Sequence, residues 1–235
     1  MKERQKKKGA LWGKVPHAWR TLCLLAKYTL EMLAPERESS RAVHSLTAEE
    51  LSAYAEPAEE IGADRKALFA YRDPLIRRLI WEIKYHVSPK AIALAAEILA
   101  ADLAEEIAER ALFDGLSGVL LVSIPASSSR AAERGGDSLT LIATRTAQIL
   151  GGVCAHAPRA LYKTRDTKPQ TTLGNRAERL KNVVGSFAIR EGVAVRDRDV
   201  IVLDDVTTTG STFLEARRAL RAAGARRVIC VALAH

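Results

Sequence analysis

The sequence predicts an α/β fold, a mostly parallel sheet with helices on both faces, joined to a helical N-terminal appendage. Three apolar runs carry that prediction: GVLLVSIP (118–125), DVIVLDD (199–205) and RRVICVALA (226–234). None alternates polar and apolar residues, which marks strands buried on both faces. Stretches of helical periodicity separate them, two of which stop at glycines, and that alternation argues for a parallel sheet.

In chain order, residues 1–63 read as the appendage and connector, and residues 64–235 as the main domain. MKERQKKK followed by ALWGKVPHAWRTLCLLAKYTLEML has the basic-then-apolar order of an export signal. Lys14, His17, Arg20, Lys27 and Glu31 interrupt the apolar run, however, and no small-residue cleavage site follows. No window reaches the ~18 apolar residues of a spanning helix, so a cytoplasmic protein is expected. Segment 17–33 carries apolar residues at helical spacing with basic residues between them. Such a helix suits an anionic surface, and more often docks on its own domain. Residues 36–63, rich in Glu, Ser and Ala, predict a connector with one short helix.

Residues 64–113 are expected to be helical. RDPLIRRLIWEIKYH places Leu75, Leu79, Ile80 and Ile83 on one face, and AIALAAEILAADLAEEIAER adds strong helix formers. Asp114 and Gly115 close the stretch. The run 118–125 is a strand, 137–150 a helix stopping at Gly151-Gly152, and VCAHA a short strand. Residues 199–205, 211–224 and 226–234 then read as strand, helix and strand.

A chain of 235 residues can bury a sizeable core, and its 48% hydrophobic and 27% charged content is ordinary for a globular protein. The net charge of +8 favours anionic partners. Cys23, Cys154 and Cys230 are scattered, which excludes a zinc ribbon or a disulfide framework and fits a reducing compartment. Cys230, inside VICVALA, reads as a small buried thiol.

The stretch with the most chemistry is VIVLDDVTTTGSTF, Val200 to Phe213. In a parallel sheet, ligands bind outside the carboxyl ends of the strands. Here two adjacent acids stand at such an end, and the helix beginning near Ser211 turns its free amides and positive dipole end toward the same place. Gly210 admits close backbone approach, while Thr208, Thr209, Ser211 and Thr212 add hydroxyls. The turn therefore suits one compact phosphate, and Asp204 and Asp205 suit vicinal hydroxyls; ribose 5-phosphate has both. A P-loop would need GxxxxGK[ST], which GALWGKV does not supply, and no GxGxxG follows a strand. A merely capped turn would need one Asp or Thr, not two acids and five hydroxyl residues around a glycine.

This stretch resembles the phosphoribosyl-pyrophosphate (PRPP) motif of the type I phosphoribosyltransferases. The resemblance implies that Asp204 and Asp205 hold the ribose hydroxyls and that the turn Val206, Thr207, Thr208, Thr209, Gly210, Ser211, Thr212 receives the 5-phosphate. Thr207 departs mildly, since an aliphatic or aromatic residue is commoner there. Thr208 stands where purine-salvage members carry an Asp, and a threonine is no general base near neutral pH. A purine-salvage role is therefore disfavoured.

Three further segments resemble the competence protein F (ComF) family in family order: FAYRDPLIRRLIWEIKYH, SIPASSSRAAERGGDSLTLIATRTAQILG and KPQTTLGNRAERLKNVVGSF. Two departures stand out. The family's usual N-terminal four-cysteine zinc module is replaced by LEMLAPERESSRAVHSLTAEELSAY, without a cysteine, so no zinc is expected. Its Arg-Gly-Phe-Asn-Gln has become Arg134-Gly135-Gly136-Asp137-Ser138.

The expected activity is Mg²⁺-dependent displacement of pyrophosphate from PRPP, with Asp204 and Asp205 central to catalysis. The turn of Pro125, Ala126 and Ser127 is the expected pyrophosphate loop. Arg130, Arg134, Lys163, Arg165 and Lys168 are its candidate cations, against the plain alternative of solubilising charge. Residues 162–182, polar and breaker-rich, read as a hood over the site. The alternative function is a PRPP- or nucleotide-sensing component of DNA uptake, associated with single-stranded DNA or uptake proteins. A second copy of the chain is a further candidate partner. The cluster Arg217, Arg218, Arg221, Arg226 and Arg227 would suit DNA, yet no aromatic interleaves it, so a solvated helix face is expected there.

Overall fold

The computed structural model describes residues 43–59, 61–62, 64–126, 137–165 and 182–235, all within the compact unit Ala42–His235. The expected helix at 17–33 and the candidates Ser127, Arg130, Arg134 and Lys168 lie outside the described residues.

The elements are α1 (Ala48–Tyr54), β1 (Arg65–Phe69), α2 (Pro74–Trp81), a π turn (Glu82–His86) and α3 (Pro89–Asp114). After these come β2 (Val119–Ser123), α4 (Ser138–Leu150), β3 (Cys154–His156), β4 (Leu161–Lys163) and β5 (Phe187–Ile189). β6 (Asp199–Val206), α5 (Ser211–Ala222) and β7 (Arg227–Ala234) complete the chain.

Five strands form one sheet in the order β1-β7-β6-β2-β3, every pairing parallel. All five residues of β2 are buried, as are seven of eight in β7, which is why both read as unbroken apolar runs. From β2 the chain steps outward to β3, and from β6 it steps the opposite way to β7. Two crossovers of the same hand running in opposite directions put α4 and α5 on opposite faces. The carboxyl ends of β2 and β6 thus meet at the topological switch point, where Ser123 pairs with Leu203.

Local signals explain the helices. The Asp73 carboxylate accepts from the Leu75 and Ile76 amides at 2.7 and 3.3 Å, and Pro74 opens α2. Ser88 caps α3, and Gly115, at φ 64°, ends it in the left-handed conformation. In α3, ten side chains are buried where it packs against α4 and α1. Leu51 of α1 is fully buried in that same core, with Leu103, Leu121, Ile142, Ile201 and Phe213. Cys154 and Cys230 are buried as well, and loss of hydration pushes both thiols up to about 11.

Three elements depart from the sequence reading. Residues 65–69, expected to be helical, form the edge strand β1, because pairing with β7 outweighs the helix propensity of Lys, Ala and Leu. The strands β4 and β5, three residues each, form a separate antiparallel pair that gives no period to read. The arginines around α5 are also tethered rather than simply solvated. Arg217 donates to the Asp64 carbonyl at 2.8 Å, Arg218 pairs with Glu215, and Arg226 pairs with Asp199. Arg221 donates to the Arg226 carbonyl and Arg227 to that of Asp114.

Candidate active site

β6 carries the chain from the buried Val200–Leu203 to the half-buried Asp204, Asp205 and Val206. Beside it, the Ile124 amide donates to the Leu203 carbonyl at 2.9 Å, so β2 is stitched to β6 just before the acids. The two loops that sequence reasoning assigned to one ligand therefore emerge side by side.

Thr207 is buried, its amide donating to the Ala234 carbonyl at 2.9 Å, while Thr208 is exposed. The Thr209 hydroxyl donates to the Ser211 hydroxyl at 3.1 Å and accepts from the Ser211 amide at 3.4 Å. Gly210 caps α5 at φ 71°, in the left-handed region that favours glycine. The first bond of the helix runs from the Leu214 amide to the Gly210 carbonyl, so the amides ahead of it point toward the turn. A helix start of this kind presents free amides and the positive end of the helix dipole.

The adjacent carboxylates are not equivalent. Lys84 Nζ lies 2.8 Å from Asp205 Oδ1, with both side chains mostly buried. The Asp205 amide donates to Asp204 Oδ1 at 2.9 Å. Burial and then the charge of Asp205 push the Asp204 carboxyl up to about 8, against the opposing pull of Lys84, the Asp205 amide and Lys163. One acid is therefore paired and the other is reluctant to ionise.

A cavity of about 380 Å³ opens beyond β2 and β4. Of the expected pyrophosphate-loop residues it gathers Pro125 and Ala126, and of the expected cations Lys163 and Arg165. Lys163 links it to the acids, since its charge acts on Asp204. Arg165 Nη2 also donates to the Asn182 and Val184 carbonyls at 3.1 and 2.9 Å, tying together the two ends, or stem, that flank residues 166–181 of the expected hood, which lie outside the described residues. From the base of that stem, the buried Glu215 carboxylate of α5 accepts from the Gly185 amide at 2.8 Å.

Sequence reasoning did not single out Lys84, Arg65, Arg159, Arg190 or Glu215. Arg159 and Arg190 line the cavity, Arg159 at a φ of 60° and Arg190 lying 5.9 Å from the Tyr162 ring centroid. Lys84 had a signal, the IKYH end of the first ComF-like segment, but one that carried no role.

No curated protein matches the chain. Among solved structures, it is similar to a hypoxanthine phosphoribosyltransferase from Staphylococcus aureus, at 12% identity and TM-score 0.36, over 60% of this chain and 62% of that one. It is also similar to a phosphoribosylpyrophosphate synthetase from Mycobacterium smegmatis, at 22% identity and TM-score 0.36, over 59% of this chain and 33% of that one. A third is a phosphoribosyltransferase from Corynebacterium diphtheriae, at 19% identity and TM-score 0.35, over 83% and 80% of the two chains. In the S. aureus and M. smegmatis structures the chain thus spans less than two thirds of the other protein's length. The phosphoribosyl transferase domain family matches residues 91–235, a span that contains β2, β6, the acid pair and the threonine-glycine turn. With more than half of its length inside that match, the chain belongs to the phosphoribosyl transferase domain family.

Proposed function

We propose that the chain binds PRPP at the switch point and transfers ribose 5-phosphate to an acceptor with release of pyrophosphate. The observation that carries this reading is the adjacency of two unlike halves. An acid pair with an amide-bearing turn stands on β6, and a cation-lined cavity of about 380 Å³ stands beside β2 and β4. That volume lies within the range of small-molecule sites, roughly 300–1,000 Å³.

In this reading the turn from Thr208 to Thr212 donates to the 5-phosphate, and Asp204 and Asp205 accept from the ribose diol. The pyrophosphate lies toward Lys163, with Arg159, Arg165 and Arg190 in the same wall. The acceptor attacks C1′ as the C1′–O bond breaks, and the electron pair leaves with pyrophosphate. Catalysis rests on positioning and on neutralising the departing charge. Among the described residues no three metal-binding side chains group together. Mg²⁺, brought in mainly by the ligand, would supply charge neutralisation at the departing pyrophosphate, which Lys163, Arg159, Arg165 and Arg190 also face. Thr208 offers no general base, so the acceptor is not expected to depend on one there.

The ComF-like segments extend the proposal to a role in DNA uptake, either as the enzyme or as a PRPP-responsive component. Calorimetric titration of PRPP with and without Mg²⁺, beside an Asp204→Asn/Asp205→Asn double variant, tests the ligand. Mg²⁺-dependent binding lost in the variant supports the site, and no binding by folded wild-type protein overturns it. Pyrophosphate release during an acceptor screen separates the enzyme from the sensor. Salt-dependent binding of a single-stranded oligonucleotide tests the DNA role.

A further inference from the structure

Two cations and a backbone anchor reach the acid-threonine turn from residues 65–86, which precede the family-matched region 91–235. Lys84 pairs with Asp205 at 2.8 Å, and the two side chains are only 20% and 18% exposed. Arg65 Nη1 stands 2.8 Å from where a β-carbon on Gly210 would lie. The Tyr71 amide donates to the His235 carbonyl at 2.8 Å, and His235 Nε2 stands 3.0 Å from the Thr208 carbonyl oxygen. The segment therefore meets the turn directly at its acids and at its glycine, and through His235 at its middle.

The backbone around Lys84 is unusual for a mere surface ion pair. Lys84 sits inside the π turn Glu82–His86, which is followed by Val87 at φ 47° and ψ 38°. A β-branched residue in the left-handed region is a strained outlier, and π turns recur at functional sites. The turn is held from behind. Buried Glu82 pairs with Arg78 at 2.7 Å, and Arg78 stacks on Trp81 at 4.1 Å.

We propose that Lys84 is a positioning residue of the ribose-diol site: its ammonium fixes the Asp205 carboxylate so that the second oxygen accepts from a ribose hydroxyl. This rests on the reading of the acid pair as a diol site. A diol brings no positive charge of its own, so Lys84 stays in place as the counter-ion when the sugar enters. The sugar half of the ligand then binds without a divalent cation, and only the pyrophosphate half calls for one.

The test titrates ribose 5-phosphate, in EDTA, into wild-type protein and the variants Lys84→Met, Lys84→Arg, Asp205→Asn and Lys84→Met/Asp205→Asn, between pH 6 and 9. Asp204, Asp205, Lys84 and Lys163 are the charged groups gathered at the pair, and Asp204, pushed up to about 8, is the one this pH range reads. Lys84→Met should weaken binding about tenfold, the loss of roughly one charge-assisted contact, and should change the pH profile. Lys84→Arg should recover most of the affinity. The double variant should bind no worse than Asp205→Asn alone, because Lys84 acts through Asp205. Should Lys84→Met not fold by its melting curve, Lys84→Gln takes its place. Wild-type affinity and pH profile in the Lys84 variant, or additive losses in the double variant, would overturn the proposal. Absence of ribose 5-phosphate binding by wild-type protein would instead remove the diol site, and this inference with it.

Discussion

Replacing Asp204 by Asn should stabilise the ligand-free protein, and far more at high pH than at low. In the folded chain burial and Asp205 push the Asp204 carboxyl from its ordinary 3.8 up to about 8. Between those values the folded chain holds a proton that the unfolded chain releases, so stability falls as pH rises through that window. Asn never ionises, which removes the loss, and its side-chain oxygen can still accept from the Asp205 amide. At about 1.4 kcal/mol per tenfold change in proton affinity, the full displacement sets a ceiling of roughly 6 kcal/mol. Solvent reaches the half-buried carboxyl, and Asp205 and Lys84 readjust, so the expected gain at pH 9 is about 1–3 kcal/mol. Thermal unfolding in EDTA should show a melting temperature raised by roughly 2–10 °C for a chain of this size. At pH 5 the gain should shrink to about a third or less, because most of the window lies above that pH. An equal gain at both values, or a loss at pH 9, would refute the account of the acid pair.

Two further substitutions probe the frame around the site. Gly210→Ala should cost about 1–2 kcal/mol in urea unfolding, the usual penalty of a left-handed backbone, since the Arg65 guanidinium crowding the new methyl can swing aside. A cost near zero would mean the turn does not hold its positive φ. Asp199→Ala should cost about 1–3 kcal/mol, because the buried carboxylate accepts from the Ser117 amide at 2.9 Å and from Arg226 Nε at 2.9 Å. Burial raises that carboxyl, but Arg226 and the Ser117 amide outweigh it and hold it below its ordinary value. Its contribution is thus present at neutral pH and lost as pH falls through the folded value, so wild-type and variant curves should converge in acid.

Much of the sheet was legible because its strands are buried on both faces. Leu121, Ile201 and Val231 are flanked on both sides by apolar residues, and a continuous apolar stretch is the plainest strand signal. The acid-threonine turn was legible for the opposite reason: its residues repel or break regular structure, and the chain does leave β6 and turn into α5 there. β1 was not legible, because RKALF reads as helix until β7 offers it a free edge. The tripeptides LYK and FAI are too short to carry any period. Lys84, Arg65, Arg159 and Arg190 escaped notice because a lone cation in sequence looks like solubilising charge. Only the fold shows which ones face an acid or a cavity.

The edge position of β1 has a consequence for how the chain can be divided. β7 has seven of its eight residues buried, and β1 covers its outer side from Cys230 to Ala234. A chain trimmed to the family-matched region, beginning at residue 91, would lose that cover. It would present a row of unpaired amides and carbonyls along a long apolar strand, the template on which another chain adds itself. The segment before the match thus also shields β7 from pairing with another chain, and a piece that keeps this cover is larger than the piece that carries the family's signature.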